Sequence, residues 1–107
     1  MSEYFFAPGD AASFSPARFT KLDLARGSLL FLGLNCFEPG QAQPVHHHAE
    51  ADKFYLILSG NARMIVGSET RDVSAGTLVW APRGVPHGVE RALERSVLLV
   101  GMAPPPH

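Results

Sequence analysis

Residues 45–53 read Val45-His46-His47-His48-Ala49-Glu50-Ala51-Asp52-Lys53. Imidazole and carboxylate groups crowd this stretch, and the apolar run KFYLIL begins at its last residue. On an extended strand, residues two apart project to the same face. His46 and His48 therefore share a face, while His47 takes the opposite one and is expected to be exposed. Two imidazoles on one face begin a metal site, because neutral imidazole is the commonest protein ligand for divalent transition metals. A third candidate, His87, lies well downstream in Pro86-His87-Gly88. A strand carrying two ligands, with a third returning from a distant strand, is how a small β-barrel would hold one ion.

Working outward, residues 53–58 form a strong strand signal, rich in aromatic and branched side chains. Lys53, Tyr55 and Ile57 share one face; Phe54, Leu56 and Leu58 share the other. Residues 28–38 (SLLFLGLNCFE) are apolar on both faces and stop at Pro39-Gly40. Shorter strands are expected at 19–24, 62–66, 69–73, 77–81 and 95–102, with a hairpin turn at Gly67-Ser68. Residues 41–44 and 82–86 read as loops. No stretch has a helical period of 3.6, and turn signals recur roughly every 8–12 residues, which suggests an all-β sandwich or barrel. Residues 1–16, broken by Pro8-Gly9-Asp10 and Ser15-Pro16, are expected to be an N-terminal arm, with the barrel domain at 17–103. Because the strongest strands are apolar on both faces, a lone barrel would expose an apolar patch. A second copy covering it is the simple remedy, so a homodimer is expected.

Composition narrows the partners. The 107 residues carry a formal net charge of −1, with Lys and Arg scattered. Nucleic acid is disfavoured, since phosphate binding needs a basic face. A single cysteine, Cys36, permits no internal disulfide and suits a reducing cytoplasm. No signal peptide is recognisable, and no apolar run reaches the roughly 18 residues of a membrane span. There is no phosphate-binding glycine loop, nucleophile elbow or Cys-x-x-Cys pair.

Two spacings resemble a known family. Gly40, five residues, His46-x-His48, four residues, Lys53, six residues and Gly60 are similar to the first cupin motif, G-x5-H-x-H-x3,4-E-x6-G. Gly76, five residues, Pro82-x-Gly84, two residues, His87, three residues and Arg91 resemble the second, G-x5-P-x-G-x2-H-x3-N. The resemblance, to the small single-domain bacterial members, implies an antiparallel jelly-roll barrel, usually dimeric. It also implies one divalent metal held inside by His46, His48 and His87. Two positions depart from the pattern: Lys53 stands where the glutamate belongs, and Arg91 where the asparagine does. An ammonium group has no lone pair to give. Three outcomes stay open: a three-histidine site, a fourth ligand from Asp52 through a bulge, or a barrel that has lost its metal. Imidazole suits Fe, Mn, Zn, Ni and Cu, so the metal is not specified.

Other residues have a reading on each side. Lys53 is either an internal cation that pairs with Asp52 or grips an anionic substrate, or a side chain that snorkels to the barrel mouth. Tyr55 and Arg63 are expected near the lumen, as donors to a small molecule or as structural groups. Trp80 and Phe37 are expected in the core or pocket wall. Glu50 reads as a charged loop residue and Cys36 as a buried thiol. The expected function is a metal-dependent oxygenase, isomerase or lyase acting on a small molecule. The alternative is a non-catalytic binding or sensing barrel with a degenerate site.

Overall fold

The computed structural model describes residues 4–107, so the first three residues of the expected arm lie outside the described residues. Nine strands follow one short 3-10 turn at Pro8–Ala11. They are β1 (Thr20–Arg26), β2 (Phe31–Phe37), β3 (Gln43–His46), β4 (Asp52–Ser59), β5 (Asn61–Val66), β6 (Glu69–Ser74), β7 (Leu78–Ala81), β8 (His87–Ala92) and β9 (Ser96–Ala103). A five-stranded sheet runs β1-β2-β9-β4-β7 and a four-stranded sheet runs β3-β8-β5-β6. All pairings are antiparallel. The all-β jelly roll expected from the sequence is the architecture found.

The inward faces of both sheets make one core. Tyr55 and Ile57 of β4, Leu98 and Val100 of β9, and Phe37 of β2 meet Ala62, Met64, Val73 and Val89 from the opposite sheet. Phe19 stacks on Phe37 at a centroid distance of 4.9 Å and closes one end. Strand alternation places the other set outside. Leu34 and Cys36 of β2 and Val97 of β9 form a second cluster, covered in part by Ala12 and Phe14 of the arm. Cys36 is fully buried there, as a free thiol. Tyr4 and Phe5, at the start of the arm, remain over 80% exposed.

One segment read as a loop is partly a strand, and a second strand falls where none is expected. β3 occupies Gln43–His46, and β8 begins at His87. Both are short and polar; β3 takes its hydrogen-bond partners from β8, and β8 from β3 and β5, and neither carries enough apolar periodicity to announce itself.

Turn glycines set the strand ends. Gly60 (φ +88°) joins β4 to β5, and Gly76 (φ +91°) joins β6 to β7. A Cβ at Gly60 would collide with the Arg95 carbonyl oxygen and the Ser96 hydroxyl, whereas one at Gly76 meets nothing within 4 Å. Both alanine variants incur backbone strain of about 1–2 kcal/mol. Only Gly60→Ala adds a backbone clash, so it should cost at least about 3 kcal/mol in total. Thermal unfolding checks this: Gly60→Ala should lower Tm by about 10 °C or more and Gly76→Ala by clearly less. Equal losses would show that the collision is relieved at no cost.

Candidate metal centre

The site is built on a strand register. In the β3–β8 pair, His46 lies directly opposite His87, and a register shift between Gln43 and His46 places an extra residue on β3. That irregularity falls at Pro44-Val45, where proline removes a backbone donor. His48 follows two residues after His46 on the segment leading to β4. Ring centroids stand 4.4 Å apart for His46–His87, 5.0 Å for His46–His48 and 5.7 Å for His48–His87. One nitrogen from each ring lies within 4.8 Å of the others. His47 points away and is exposed, as expected.

Two of the rings are oriented by the backbone. His46 Nδ1 lies 2.9 Å from the Pro44 carbonyl oxygen, and His87 Nδ1 lies 2.9 Å from that of Val85. A carbonyl only accepts, so each Nδ1 carries the proton and each Nε2 keeps a free lone pair. His87 is 1% exposed, and its Nε2 is buried without a hydrogen-bond partner among the described residues. A buried acceptor left unpaired costs about 1–3 kcal/mol. A divalent cation would supply the missing partner. The three imidazoles therefore fit a metal ion.

The local charge favours neutral rings. Burial pushes His87 down to about 4, against the opposing pull of its Val85 bond, and the positive charge of Lys53 adds to the fall. Burial and then Lys53 also hold His48 below the ordinary histidine value. Burial holds His46 down too, again against its bond to Pro44. Neutral imidazole is the form that binds a metal, so the donors are already in their ligating state near neutral pH.

Lys53 enters the lumen from β4 and is 6% exposed. Its Nζ stands 4.7 Å from the centroid of the Tyr55 ring, so it does not reach bulk solvent as a snorkelling lysine would. Burial, then the charge of Lys21, pushes it down to about 8. Tyr55 lies inside, its ring centroid 6.1 Å from that of His87. Its hydroxyl donates to Gln43 Oε1 at 2.7 Å, and burial pushes the phenol well above its usual range. That hydroxyl is engaged with the protein.

Three expected neighbours lie elsewhere. Asp52 precedes Lys53 on β4 and so faces outward; its carboxylate accepts the Arg83 backbone N–H at 2.9 Å and does not join the histidines. Arg63 alternates with the buried Ala62 and Met64 of β5, so it too faces outward, gripping Asp72 at 2.7 Å from Nε. Trp80 alternates with the buried Ala81 of β7 and is 56% exposed, not part of the pocket wall. The Arg63 and Trp80 expectations fail for the same reason: the inner face of each strand is set by its buried neighbours, and an amphipathic side chain satisfies either side by itself.

The lumen contains residues that the sequence did not single out. A cavity of about 230 Å³ is lined by Lys21, Asn35, Gln43, His46, His48 and Lys53, among others. Lys21 pairs with Asn35 across β1 and β2, on the face opposite Leu22 and Leu34. The outward Leu22 and Leu24 were the available signal for Lys21 facing in. Gln43 was hidden because β3 reads as a loop.

Residues 33–100 match the cupin domain family, and the chain belongs to it. It is 33% identical over 84 residues to an uncharacterized protein of Streptomyces coelicolor, covering 78% of this chain and 79% of that one. Among solved structures, it resembles TT1209 from Thermus thermophilus with a TM-score of 0.90 and 33% identity, over 95% of this chain and 98% of that one. An RmlC-like cupin from Desulfovibrio desulfuricans aligns with a TM-score of 0.82 and 29% identity, over 91% and 92% of the two chains.

The buried, neutral His87 makes stability depend on pH. In the unfolded chain this group takes a proton near 6.5, and in the folded, metal-free protein only near about 4. Between those values the unfolded state binds the extra proton, so stability falls as pH drops from about 6.5 to 4, by up to about 3 kcal/mol. Urea unfolding of chelator-treated protein across that range should show the slope, and His87→Gln should flatten it. An unchanged slope in His87→Gln would show that other groups set it.

Proposed function

We propose that this cupin binds one divalent transition metal through His46, His48 and His87 and uses it on a small-molecule ligand. The observation that carries this reading is the buried, unpaired Nε2 of His87, aimed at two further imidazoles. Held by His46, His48 and His87, such a metal would supply Lewis-acid chemistry toward an oxygen of the ligand or, if redox-active, electron exchange. The chain's own residues do the rest. The Pro44 and Val85 carbonyls hold two rings in the ligating tautomer. The Tyr55–Gln43 bond fixes the floor of the lumen. Apolar packing behind it excludes water from the bound ligand. Oxygenation, isomerisation and lyase chemistry are all compatible with such a centre. Lys53 in place of the family's glutamate favours a second reading, a barrel that binds its ligand without turnover.

Elemental analysis of protein purified without nickel resin should find close to one metal per chain. His48→Ala should weaken zinc binding at least about ten-fold while leaving the fold intact. Less than about a tenth of an equivalent in the parent, with no rise in Tm on adding zinc, iron(II), manganese or copper, would sink the metal reading.

The unit in solution is proposed to be a homodimer. Leu78 and Trp80 are exposed on the outer side of β7, beside the half-buried Phe54 and Leu56 of the adjoining β4. A second copy is the occupant that removes this apolar patch from water. Trp80→Glu should convert a dimer seen by light scattering at about 50 μM into a monomer, leaving metal content unchanged. A parent that is already monomeric at that concentration would refute it. Among the described residues no helix is long and apolar enough to cross a membrane. The buried free thiol of Cys36 fits the proposed cytoplasmic location.

A further inference from the structure

The lumen carries positive charge that no carboxylate among the described residues pairs with. Lys53 is 94% buried, and its only close partner among the described residues is the face of Tyr55. No carboxylate forms an ion pair with it: the described ion pairs all involve Arg63, Arg71 and Arg95 on the surface. A second lysine, Lys21, faces the same cavity from β1. The charged and titratable groups lining that cavity are Lys21, Asp23, His46, His48 and Lys53. Asp23 is exposed on the edge strand and pairs with none of them. A wider groove of about 790 Å³ meets the cavity at Lys21, Gln43 and His46, and it adds Arg18. An isolated buried cation is expensive, so a group kept this way normally has an anionic partner.

A metal would sharpen the imbalance. A dication among the three imidazoles would sit in the same small space as the Lys53 ammonium, and like charges at such range repel strongly at low effective dielectric. An anion placed between them offsets both charges at once.

We propose that the ligand of this barrel is a small organic carboxylate, held by Lys53 and Lys21 beside the three histidines. The inference rests on the metal reading only for the identity of its second anchor; the lysine pair stands without it. The cavity favours a carboxylate over a phosphate ester. At about 230 Å³ it has the volume of roughly eight waters. It also lacks the arginine forks, glycine nests and helix N-termini that usually cradle phosphates. Asn35 and Gln43 line the remaining wall with amide groups suited to a carbonyl or hydroxyl on the same molecule.

Calorimetric titration tests this with malonate, neutral malonamide and inorganic phosphate as probes, on zinc-loaded and on chelator-treated protein. Malonate should bind both forms, more weakly at high salt. Malonamide should bind at least about ten-fold more weakly. Lys53→Met keeps the side-chain volume and removes the charge; it should weaken malonate at least about ten-fold while zinc binding is kept or strengthened. Lys21→Gln, at an exposed position on β1, should weaken malonate several-fold, so the test survives if Lys53→Met fails to fold. Malonate bound equally well by the parent and by the folded charge-removed variants, malonamide bound as tightly as malonate, or phosphate preferred over malonate would each overturn the proposal. If the parent takes up no zinc yet its chelated form binds malonate in a Lys53-dependent way, the metal reading fails and the carboxylate site stands.

Discussion

The pairing of β3 with β8 sets His46 against His87, and the rest of the site depends on that register. A slip of one residue would turn one of the two rings to the outside. The irregularity at Pro44-Val45 helps lock it, because it lets the short strand satisfy both the Gln43–Val89 and the His46–His87 pairs. Gln43 then reaches inward to accept from Tyr55, and the Pro44 carbonyl reaches the ring of His46. One short strand thus supplies a candidate ligand, the bond that orients it and the acceptor that fixes the floor beneath it.

The opposite sheet contributes charge and packing. Strand alternation along β4 puts Lys53, Tyr55 and Ile57 inside in succession, from the mouth of the barrel to its core. The same alternation leaves Phe54, Leu56 and Leu58 on the outer face. That single strand therefore links the polar site to the apolar surface on which assembly is proposed. A chain that reversed its faces would bury Asp52 and Phe54 and lose both.

Replacing the family's glutamate with Lys53 changes the electrostatics without changing the scaffold. The imidazoles remain together, and burial, helped by the positive charge of Lys53, holds all three below the ordinary histidine value. What shifts is the charge a bound molecule must bring. A barrel with an internal carboxylate can neutralise part of a dication by itself; with Lys53 in that place, the proposed ligand would have to bring the negative charge.

The sequence by itself determined the all-β class, the shared face of His46 and His48, and the shared face of Lys53, Tyr55 and Ile57. These follow from local rules: spacing of two along a strand, glycines at turns, and a run of branched and aromatic residues between them. It also carried both motif spacings, since spacing is a property of the chain alone. Only the tertiary structure decided that Asp52, Arg63 and Trp80 face away from the lumen and that Lys21, Asn35 and Gln43 face into it. Which face of a strand is interior depends on what the opposing strand offers. For short polar segments such as β3 and β8, even the existence of the strand depends on a partner far away in the chain.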